Sequence, residues 1–424
     1  MRLASNHLRI ICSEEIFLHP FSYFVSRYSG MYRQVINTLC AVSAFTLFTG
    51  CSSYADNTAT QPDIQGTVDA AIRPLMEKYA IPGMAVAVTI DGRNYFYNYG
   101  VASRASGQAV TNATLFEIGS LSKTLTATLA SYAQVNGRLS LSDSVSRHLP
   151  YLSGTPFDNI SLMNLGTHTA GDFPLQLPDE VTNDEQLMDY YKNWKPTHAA
   201  GTYRTYSNPG IGLLGVVTAK SMRMSFADAM EKTLFPRLGM THSYIHVPAE
   251  QMKNYAQGYN KFDAPVRVNP GMLADEAYGV KTNTLDLIRF INANMGLVGL
   301  DGKLQQAVTD THTGYFKAGE ITQDLIWEQY PDTSPLERLL AGNADQMVYQ
   351  GVAATAISPP LPPQAAVFLN KTGSTGGFGA YALYAPAKKI GIVMLANRNY
   401  PNAQRVTAAY RILSELDKQN APRR

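Results

Sequence analysis

The sequence is poor in cysteine and in charged residues. Its three cysteines, Cys12, Cys40 and Cys51, all precede residue 56, so the rest of the chain can form neither a disulfide nor a thiolate metal site. No pair among its eight histidines has the His-Glu-x-x-His spacing of zinc ligands. Charged residues make up 16% of the chain and hydrophobic residues 45%. These proportions predict a globular protein with no metal and no cofactor.

The chain also lacks a large excess of charge of either sign. It has 35 basic and 33 acidic residues, of which residues 1–55 contain four Arg and two Glu, so residues 56–424 carry 31 of each. A neutral protein has no electrostatic reason to bind nucleic acid or an anionic membrane. We therefore expect neither as a partner, and we expect a monomer that acts on a small molecule on other grounds, given with the family resemblance below.

An apolar run at residues 35–48 follows Arg33. It is too short for a comfortable membrane span but suits a signal peptide. We predict that residues 1–55 are an upstream extension and a signal peptide, with translation starting at Met31. Cleavage after Ala55 predicts soluble export, which we prefer; lipidation of Cys51 and a membrane-anchoring role for residues 1–30 are the alternatives.

Hydrophobic spacing places β structure at both ends of the remaining chain. Helices are predicted over residues 68–79 and 404–416, and strands over 84–90, 95–99, 366–370, 381–385 and 390–396. We predict an α/β lobe formed by residues 56–137 and 340–424, in which helices flank an antiparallel sheet. Residues 138–339 are predicted to form a mostly helical lobe, with the site between the two lobes. The Pro-rich residues 359–363 predict a stiff connector.

The stretch around Ser120 is the first candidate for chemistry. Ser120 and Lys123 lie three residues apart at the start of a predicted helix, where both side chains share one face. A serine hydroxyl is a poor nucleophile until a base removes its proton, and a buried lysine can serve as that base. The same pattern also describes an ordinary helix with a serine cap and a surface lysine.

A tyrosine and an asparagine two residues apart form the second candidate. Tyr206 and Asn208 precede Pro209-Gly210 and an apolar helical run, which predicts that both point into one cavity. The phenol can relay a proton and the amide can bind a substrate amide. Tyr191-Lys192-Asn193 matches the same pattern, but it lies in a polar segment and is predicted to be at the surface.

The third candidate is Lys371-Thr372-Gly373, which follows a predicted strand. Lys371 can attract a carboxylate and Thr372 can donate a hydrogen bond to it. The backbone N–H groups of Ser120 and Ser374 could then form an oxyanion hole. The alternative is a glycine-rich hairpin turn with a solvated lysine.

These three motifs, in this order behind an export signal, resemble those of the class C serine β-lactamases, or cephalosporinases, over roughly residues 64–418. A related set of Ser-x-x-Lys, Ser-Asp-Asn and Lys-Thr-Gly occurs in β-lactamases and penicillin-binding proteins. Residues 174–180 and 394–401 also resemble segments of this family. The resemblance implies a β-lactamase/transpeptidase-like fold, an α/β sandwich beside an all-α lobe. It further implies hydrolysis of β-lactam antibiotics, with cephalosporins preferred, in the periplasm of a Gram-negative bacterium, where the enzyme gives antibiotic resistance.

By this resemblance the site residues have distinct roles. Ser120 is the nucleophile, while Lys123 and Tyr206 share the proton transfers, and Tyr206 is also the partner of the deacylating water. Ser374 completes the oxyanion hole. The implied substrate contacts are Gln176, Asn208 and Tyr278 at the acylamino side chain, and Lys371, Thr372, Asn399 and Asn402 at the carboxylate, an end of the site that Arg405 is implied to shape.

The sequence departs from the family at positions that flank the site. His168 stands where the family usually has Tyr, Asp172-Phe173 where it has Gly-Leu, and Asn370 where many members have His. We expect these residues to alter the substrate profile rather than the chemistry. The specific hypothesis is that the charge of Asp172 changes how bulky cephalosporins fit.

Three other functions are compatible with the same fold. A DD-peptidase or penicillin-binding protein would form the same acyl-enzyme and hydrolyse it slowly. A serine esterase is disfavoured because other residues often replace Lys-Thr-Gly in that group. A β-lactam sensor would need a transmembrane helix and a signalling domain, and the sequence shows neither pattern.

Overall fold

A ten-stranded antiparallel sheet is the centre of the structure, a computed structural model that describes residues 63–420. The predictions for the signal peptide, Met31 and the three cysteines lie outside these residues. The strands of these residues are β1 (Gly83–Ile90), β2 (Arg93–Gly100), β3 (Phe116–Glu117), β4 (Tyr203–Arg204), β5 (Gly258–Tyr259), β6 (Pro265–Val266), β7 (Lys281–Thr282), β8 (Gly314–Ala318), β9 (Ile321–Gln323), β10 (Glu328–Pro331), β11 (Val352–Leu361), β12 (Val367–Ser374), β13 (Gly379–Ala385) and β14 (Ile390–Ala396). Strand β3 pairs with β7 and β5 with β6, outside the large sheet.

Helices pack around this sheet, and within the described range none is both long and apolar enough to cross a bilayer. They are α1 (Ile64–Lys78), α2 (Ser122–Val135), α3 (Val145–His148), α4 (Leu162–Gly166), α5 (Asp184–Asn193), α6 (Asn208–Met222), α7 (Phe226–Asp228), α8 (Phe235–Leu238), α9 (Ala274–Tyr278), α10 (Thr284–Asn294), α11 (Gly302–Asp310), α12 (Leu336–Gly342), α13 (Asp345–Tyr349) and α14 (Asn402–Asn420).

The sheet draws its strands from both ends of the chain. Its order is β2-β1-β14-β13-β12-β10-β9-β8-β11-β4, so β1 of the first hairpin pairs directly with β14, the last strand of the chain. That arrangement agrees with the prediction of one sheet built from the two chain ends. Strands β4 and β8 to β10 come from the middle of the chain and extend the same sheet. The division of the chain into two lobes remains a prediction.

Alternation along the strands explains why helices cover both faces of the sheet. On β1, Val86 and Val88 join a core that includes α1 and α14. Ala85 and Ala87, one residue out of phase, join a second core that includes α2 and α10. Successive side chains of a strand point to opposite faces, so a strand that is apolar at every position is buried on both sides.

Helix α2 lies between the sheet and the remaining helices. Leu125 and Leu129 belong to the core against the sheet, whereas Ala127 and Ala130 pack in a third core with α4 and α6. Every residue from Ser122 to Ala133 is buried. A helix that is buried all round is held rigidly, and the turn that precedes it contains Ser120.

The prediction of a connector at residues 359–363 was wrong for its first three residues. Residues 359–361 complete strand β11. The register between β11 and β8 shifts between Ala356 and Leu361. A proline lacks the N–H that a regular ladder needs and is tolerated at such irregular positions.

A buried histidine makes the stability of the fold depend on pH. The Nε2 atom of His312 lies 2.9 Å from both Asn294 Oδ1 and the Tyr384 hydroxyl. Burial lowers the pKa of His312 from 6.5 to about 4. At a pH between these two pKa values, His312 therefore binds a proton in the unfolded chain but not in the folded chain. The free energy of unfolding falls as the pH drops through that range.

We expect His312→Gln to abolish this loss of stability at acid pH, which amounts to about 3 kcal/mol. Urea unfolding of the wild type and the variant at pH 7.5 and at pH 4.5 measures it. The exposed His198 provides the matched control, as His198→Gln. Equal pH dependence in the wild type and His312→Gln would contradict the prediction.

Candidate active site

Ser120 lies in a 3₁₀ turn, Gly119–Leu121, that leads into α2. Gly119 has φ +51°, and a Cβ there would lie 2.4 Å from the backbone nitrogen of Ser374. A Cβ on Gly373 would lie 1.9 Å from the Ile118 carbonyl oxygen. Because glycine has no Cβ, the backbone at the end of β12 can pack directly against the turn that carries Ser120.

We expect Gly373→Ala to lower kcat/KM for any substrate of this site by about 10²-fold, because a displaced oxyanion donor is comparable to a lost one. The added methyl must push β12 away from the Ser120 turn. Gly302→Ala is the control, since a Cβ there meets no atom within 4 Å. Steady-state kinetics on both variants measures the effect; full activity in Gly373→Ala would contradict it.

Lys123 lies directly behind Ser120. Its Nζ donates to Ser120 Oγ at 2.9 Å and to the Ala277 carbonyl at 2.8 Å. Burial lowers the pKa of Lys123 from 10.5 to about 8, with Tyr206 opposing the shift and Lys371 adding to it. A substantial fraction of this amine is therefore neutral near physiological pH, as a general base requires.

The phenol of Tyr206 lies between two lysines. The Nζ atoms of Lys123 and Lys371 are 5.2 and 4.9 Å from its ring centroid. Burial alone would raise the pKa of Tyr206, but these two cations outweigh it and the pKa lies below 10. The hydroxyl is buried and has no hydrogen-bond partner within residues 63–420. An unpaired buried hydroxyl is available to a ligand.

Lys371 belongs to a buried charge network that the sequence analysis missed. Its Nζ lies 3.4 Å from Glu328 Oε1, and Arg204 Nη2 lies 3.4 Å from the same oxygen. Burial would lower the pKa of Lys371, but Glu328 and Tyr206 raise it above its ordinary value. Lys371 is therefore a fixed cation. A glutamate directly after the apolar run Leu325-Ile326-Trp327 was the available signal.

These groups border a cavity of about 470 Å³. Nine of the eleven residues predicted to act in catalysis or to contact substrate line it: Ser120, Gln176, Tyr206, Asn208, Tyr278, Lys371, Thr372, Ser374 and Asn402. Lys123 is completely buried behind the wall. The cavity is also lined by Arg204, Arg267, Glu328 and Tyr349, none of which the sequence analysis selected.

Asn399 does not line the cavity. Its Oδ1 accepts a hydrogen bond from Arg405 Nη2 at 2.5 Å. Arg405 Nη1 in turn donates to Ser374 Oγ at 2.9 Å and to the Gly373 carbonyl at 2.7 Å. Both residues therefore support the Ser374 segment from behind, and the expected direct contact of Asn399 with a ligand is not supported.

Asn208 connects the α6 end of the site to Gln176. It is the first residue of α6, and its backbone N–H donates to the Leu175 carbonyl at 3.0 Å. Its side-chain Oδ1 is buried without a partner in the described chain, so it is free to accept from a ligand amide.

The prediction that the second Tyr-x-Asn sequence lies at the surface was wrong for its tyrosine, whereas Lys192 and Asn193 are exposed. Tyr191 is 1% exposed, and its hydroxyl donates to the Pro209 carbonyl at 2.9 Å. The amphipathic spacing of α5 turns this tyrosine inward although the segment as a whole is polar. It supports the start of α6 rather than the cavity.

Three of the family departures do not line the cavity and instead contact other residues. The Asp172 carboxylate accepts hydrogen bonds from Thr197 and Thr205, at 2.6 and 2.8 Å. Phe173 stacks on Trp194 at 3.9 Å between centroids. Asn370 donates to the Glu328 carbonyl at 3.2 Å. Asp172 thus braces loops near Tyr206, and the hypothesis that its charge changes how bulky cephalosporins fit stays a prediction.

His168 is the departure nearest the proposed chemistry. Its ring packs on that of Tyr206, with centroids 4.4 Å apart. Its Nδ1 lies 3.3 Å from the N–H of Ser207, from which it can accept. Burial and the charges of Arg204, Lys123 and Lys371 hold the pKa of His168 well below 6.5. His168 is therefore neutral.

The described residues include no group of three His, Cys, Asp or Glu side chains arranged to hold a metal ion. The donors that surround Ser120 are a lysine, a phenol and backbone amides. This arrangement can activate a hydroxyl nucleophile and bind an anionic ligand beside it.

Comparisons with known proteins converge on one family. The family profile described as Beta-lactamase matches residues 68–417. A Beta-lactamase of Pseudomonas fluorescens is 51% identical over 356 residues, covering 84% of this chain and 99% of its own. A class C β-lactamase solved in complex with cefoxitin is 60% identical, with a TM-score of 0.81 and coverage of 83% and 98%. A Beta-Lactamase/D-Alanine Carboxypeptidase from Pseudomonas syringae is 54% identical, with a TM-score of 0.82 and coverage of 83% and 99%.

Proposed function

The chain belongs to the class C β-lactamase family, and on that premise we propose that Ser120 carries the acyl group during turnover. The enzyme is a serine hydrolase that opens β-lactam rings, and its fold is that of the β-lactamase/transpeptidase group. The observation that supports Ser120 most strongly is the 2.9 Å contact between its Oγ and the buried Lys123 amine. We propose cephalosporins as the preferred substrates.

Acylation begins when Ser120 Oγ attacks the carbonyl carbon of the lactam. As a neutral amine, Lys123 can keep an N–H on the Ala277 carbonyl while its lone pair accepts the serine proton. The ring C–N bond then breaks, and the departing nitrogen takes a proton relayed through Tyr206. The negative oxygen of the intermediate is stabilised by the backbone N–H groups of Ser120 and Ser374.

Deacylation requires a water molecule to attack the ester carbon. Tyr206, with its pKa lowered by Lys123 and Lys371 against the effect of burial, accepts a proton from that water. The ester C–O bond breaks, the proton on Tyr206 passes to Ser120 Oγ, and the product acid releases its remaining proton to solvent, so that a carboxylate product leaves and the enzyme is regenerated. The cation of Lys371 makes the phenolate form accessible because it stabilises a nearby negative charge.

We assign the carboxylate and the acylamino side chain of the substrate to opposite ends of the cavity. Lys371 and Thr372 bind the substrate carboxylate, with Asn402 beside them. Gln176 and Asn208 bind the acylamino side chain, and Tyr278 lines its pocket. Asn399 acts through Arg405 and Ser374 rather than on the substrate.

The cellular setting is a separate part of the proposal. We propose export to the periplasm as a monomer, with the α/β lobe and the helical lobe as the two halves of the mature enzyme. The short apolar run after Arg33 supports export. Detection of the protein in a periplasmic extract, and its elution volume on size exclusion, test these two points.

Steady-state hydrolysis of a chromogenic cephalosporin by the purified protein tests the function. Mass spectrometry of quenched reactions locates the transient acyl group, which is expected on the peptide that contains Ser120. A protein that accumulates a stable adduct with one equivalent of drug, and does not turn over, would contradict the proposal.

A D-alanine carboxypeptidase is the second candidate, since the P. syringae neighbour carries both names. Release of D-alanine from a peptide ending in D-Ala-D-Ala, measured beside cephalosporin hydrolysis, compares the two. The β-lactamase assignment predicts the larger kcat/KM for the cephalosporin.

A further inference from the structure

Glu117 is a buried carboxylate three residues before Ser120. It is 1% exposed and ends strand β3. Its cross-strand partner is Lys281, whose Nζ donates instead to the Ile245 carbonyl at 2.9 Å. Glu117 does not take part in the charge network around Glu328 and does not line the cavity, so the mechanism above leaves it unused.

Three donors satisfy this carboxylate. Oε1 accepts from the Tyr255 hydroxyl at 2.6 Å and from the Val268 N–H at 2.8 Å. Oε2 accepts from Thr375 Oγ1 at 2.5 Å. Charge-assisted hydrogen bonds of this length are the strong ones in proteins. One rigid group therefore joins three segments that are distant in the sequence.

Two of these segments form the edge of the active-site cavity. Thr375 directly follows Ser374, and both residues line the cavity together with Val268. Thr375 also opens the turn after β12, where its N–H donates to the Phe378 carbonyl at 3.1 Å. Tyr255, the third donor, does not line the cavity.

The end of β12 is thus held from two directions. Arg405 contacts Ser374 Oγ and the Gly373 carbonyl on one side, and Glu117 contacts Thr375 on the other. Ser374 is exposed and makes the last pair of its ladder, with Gly379. A strand end in this position needs contacts from outside the ladder to fix the direction of its N–H group.

Packing alone gives no reason for a carboxylate at this position. Burying a charge costs free energy, and an apolar side chain of similar volume often fills such a place equally well. A carboxylate differs because it accepts hydrogen bonds at defined angles from Thr375 and from the Val268 backbone at once. Glu117 also lies on the segment that leads into the Ser120 turn, so it links both sides of the oxyanion hole.

We propose that Glu117 is a positioning residue: through Thr375 it fixes the backbone N–H of Ser374 relative to Ser120 and thereby sets the geometry of the oxyanion hole. The proposal rests on the acyl-transfer function proposed above. Misplacing a transition-state donor by about 1 Å can cost about 10²-fold in rate, so loss of this hydrogen bond should appear in kcat rather than in KM.

Thr375 offers a matched pair of variants. Thr375→Val keeps the shape and removes the hydroxyl, whereas Thr375→Ser keeps the hydroxyl. We expect Thr375→Val to lower kcat for a chromogenic cephalosporin by about tenfold or more, with KM changed by less than about threefold, and Thr375→Ser to stay within about threefold of the wild type. Thr407→Val, at a threonine whose hydroxyl donates to the Ala403 carbonyl within α14, is the control and should stay in the same range.

The second arm is a double-mutant cycle with Glu117→Gln. If Glu117 acts through Thr375, adding Thr375→Val to Glu117→Gln should reduce kcat by less than about twofold beyond the single Glu117→Gln change. Independent effects, in which the two losses multiply, would overturn the proposal. Equal kcat in Thr375→Val and Thr375→Ser would also overturn it.

Binding of an arylboronic acid provides a readout that does not need turnover. The boron forms a tetrahedral adduct with a serine hydroxyl and places an oxygen in the oxyanion hole. We expect its Kd to rise by about tenfold in Thr375→Val and to remain near the wild-type value in Thr375→Ser. Since only folded sites bind, a Kd unchanged in Thr375→Val would mean a purely structural role and would overturn the proposal.

The two proposals fail in different ways. A wild-type protein that does not hydrolyse the cephalosporin contradicts the proposed function whatever the variants do. A wild-type protein that hydrolyses it, with a Thr375→Val variant of equal kcat and boronate affinity, contradicts only the role of Glu117.

Discussion

Ser120→Ala is expected to lower kcat for a chromogenic cephalosporin by about 10⁴-fold or more, the scale on which removal of a serine nucleophile acts in other hydrolases. The variant retains the cavity, the Lys371 cation and the glycine contacts that shape the oxyanion hole. It lacks the hydroxyl that accepts a hydrogen bond from Lys123 Nζ. Substrate binding should therefore persist while acylation stops.

Two measurements make this result specific. Mass spectrometry should show no covalent adduct in Ser120→Ala after incubation with a slowly hydrolysed β-lactam, whereas the wild type acquires one. Ser131→Ala is the matched control, because Ser131 lies on α2 and its buried hydroxyl has no partner in the described chain. Residual hydrolysis above about 1% of the wild type, or an adduct in Ser120→Ala, would place the nucleophile elsewhere.

Lys123→Met is expected to lower kcat/KM by about 10³-fold, within the range for loss of a general base. Methionine has nearly the length of lysine and suits a completely buried position, so the loss reports the amine rather than a cavity. The pKa of Tyr206 should rise at the same time, because one of the two cations that lower it is removed. Rapid-quench measurement of acylation separates this step from deacylation.

A second buried lysine controls for the loss of a buried charge. Lys281 is 8% exposed and bonds to the Ile245 carbonyl, away from the cavity; Lys281→Met should cost no more than about tenfold. Lys123→Cys followed by aminoethylation restores an amine at nearly the same distance and should recover part of the activity. A Lys123→Met enzyme within tenfold of the wild type would exclude this lysine as the base.

The family relationship gives these experiments a common expectation, while the structure distinguishes among residues that a motif treats alike. Lys371 and Lys123 are both buried lysines beside Tyr206, yet the contact of Lys371 with Glu328 raises its pKa, whereas burial without an ion pair in the described residues lowers that of Lys123. One is held as a cation for an anionic substrate group, and the other is available as a base. The sequence motifs that contain these two lysines do not distinguish the cation from the base.

Much of the site could be predicted because its key spacings are local. Ser120 and Lys123 meet because a helical turn brings together residues three apart, and that geometry needs no distant contact. The strands around Lys371 and the helix after Asn208 likewise follow from short-range patterns of apolar residues, Pro and Gly. The resemblance to a known family then placed Tyr206 and Gln176 in the same cavity.

Other residues depend on contacts between distant segments, which short-range patterns do not encode. Glu328 is separated from Lys371 by 43 positions and Glu117 from Thr375 by 258, so nothing near either glutamate reveals its partner. The same reason explains why Asn399 supports Arg405 instead of facing the cavity, and why Tyr191 is buried in a polar segment. The motifs alone specified which functional groups this protein uses. The packing of the sheet against α2 decided which of them meet, because burial and charge at each position are sums over neighbours from the whole chain.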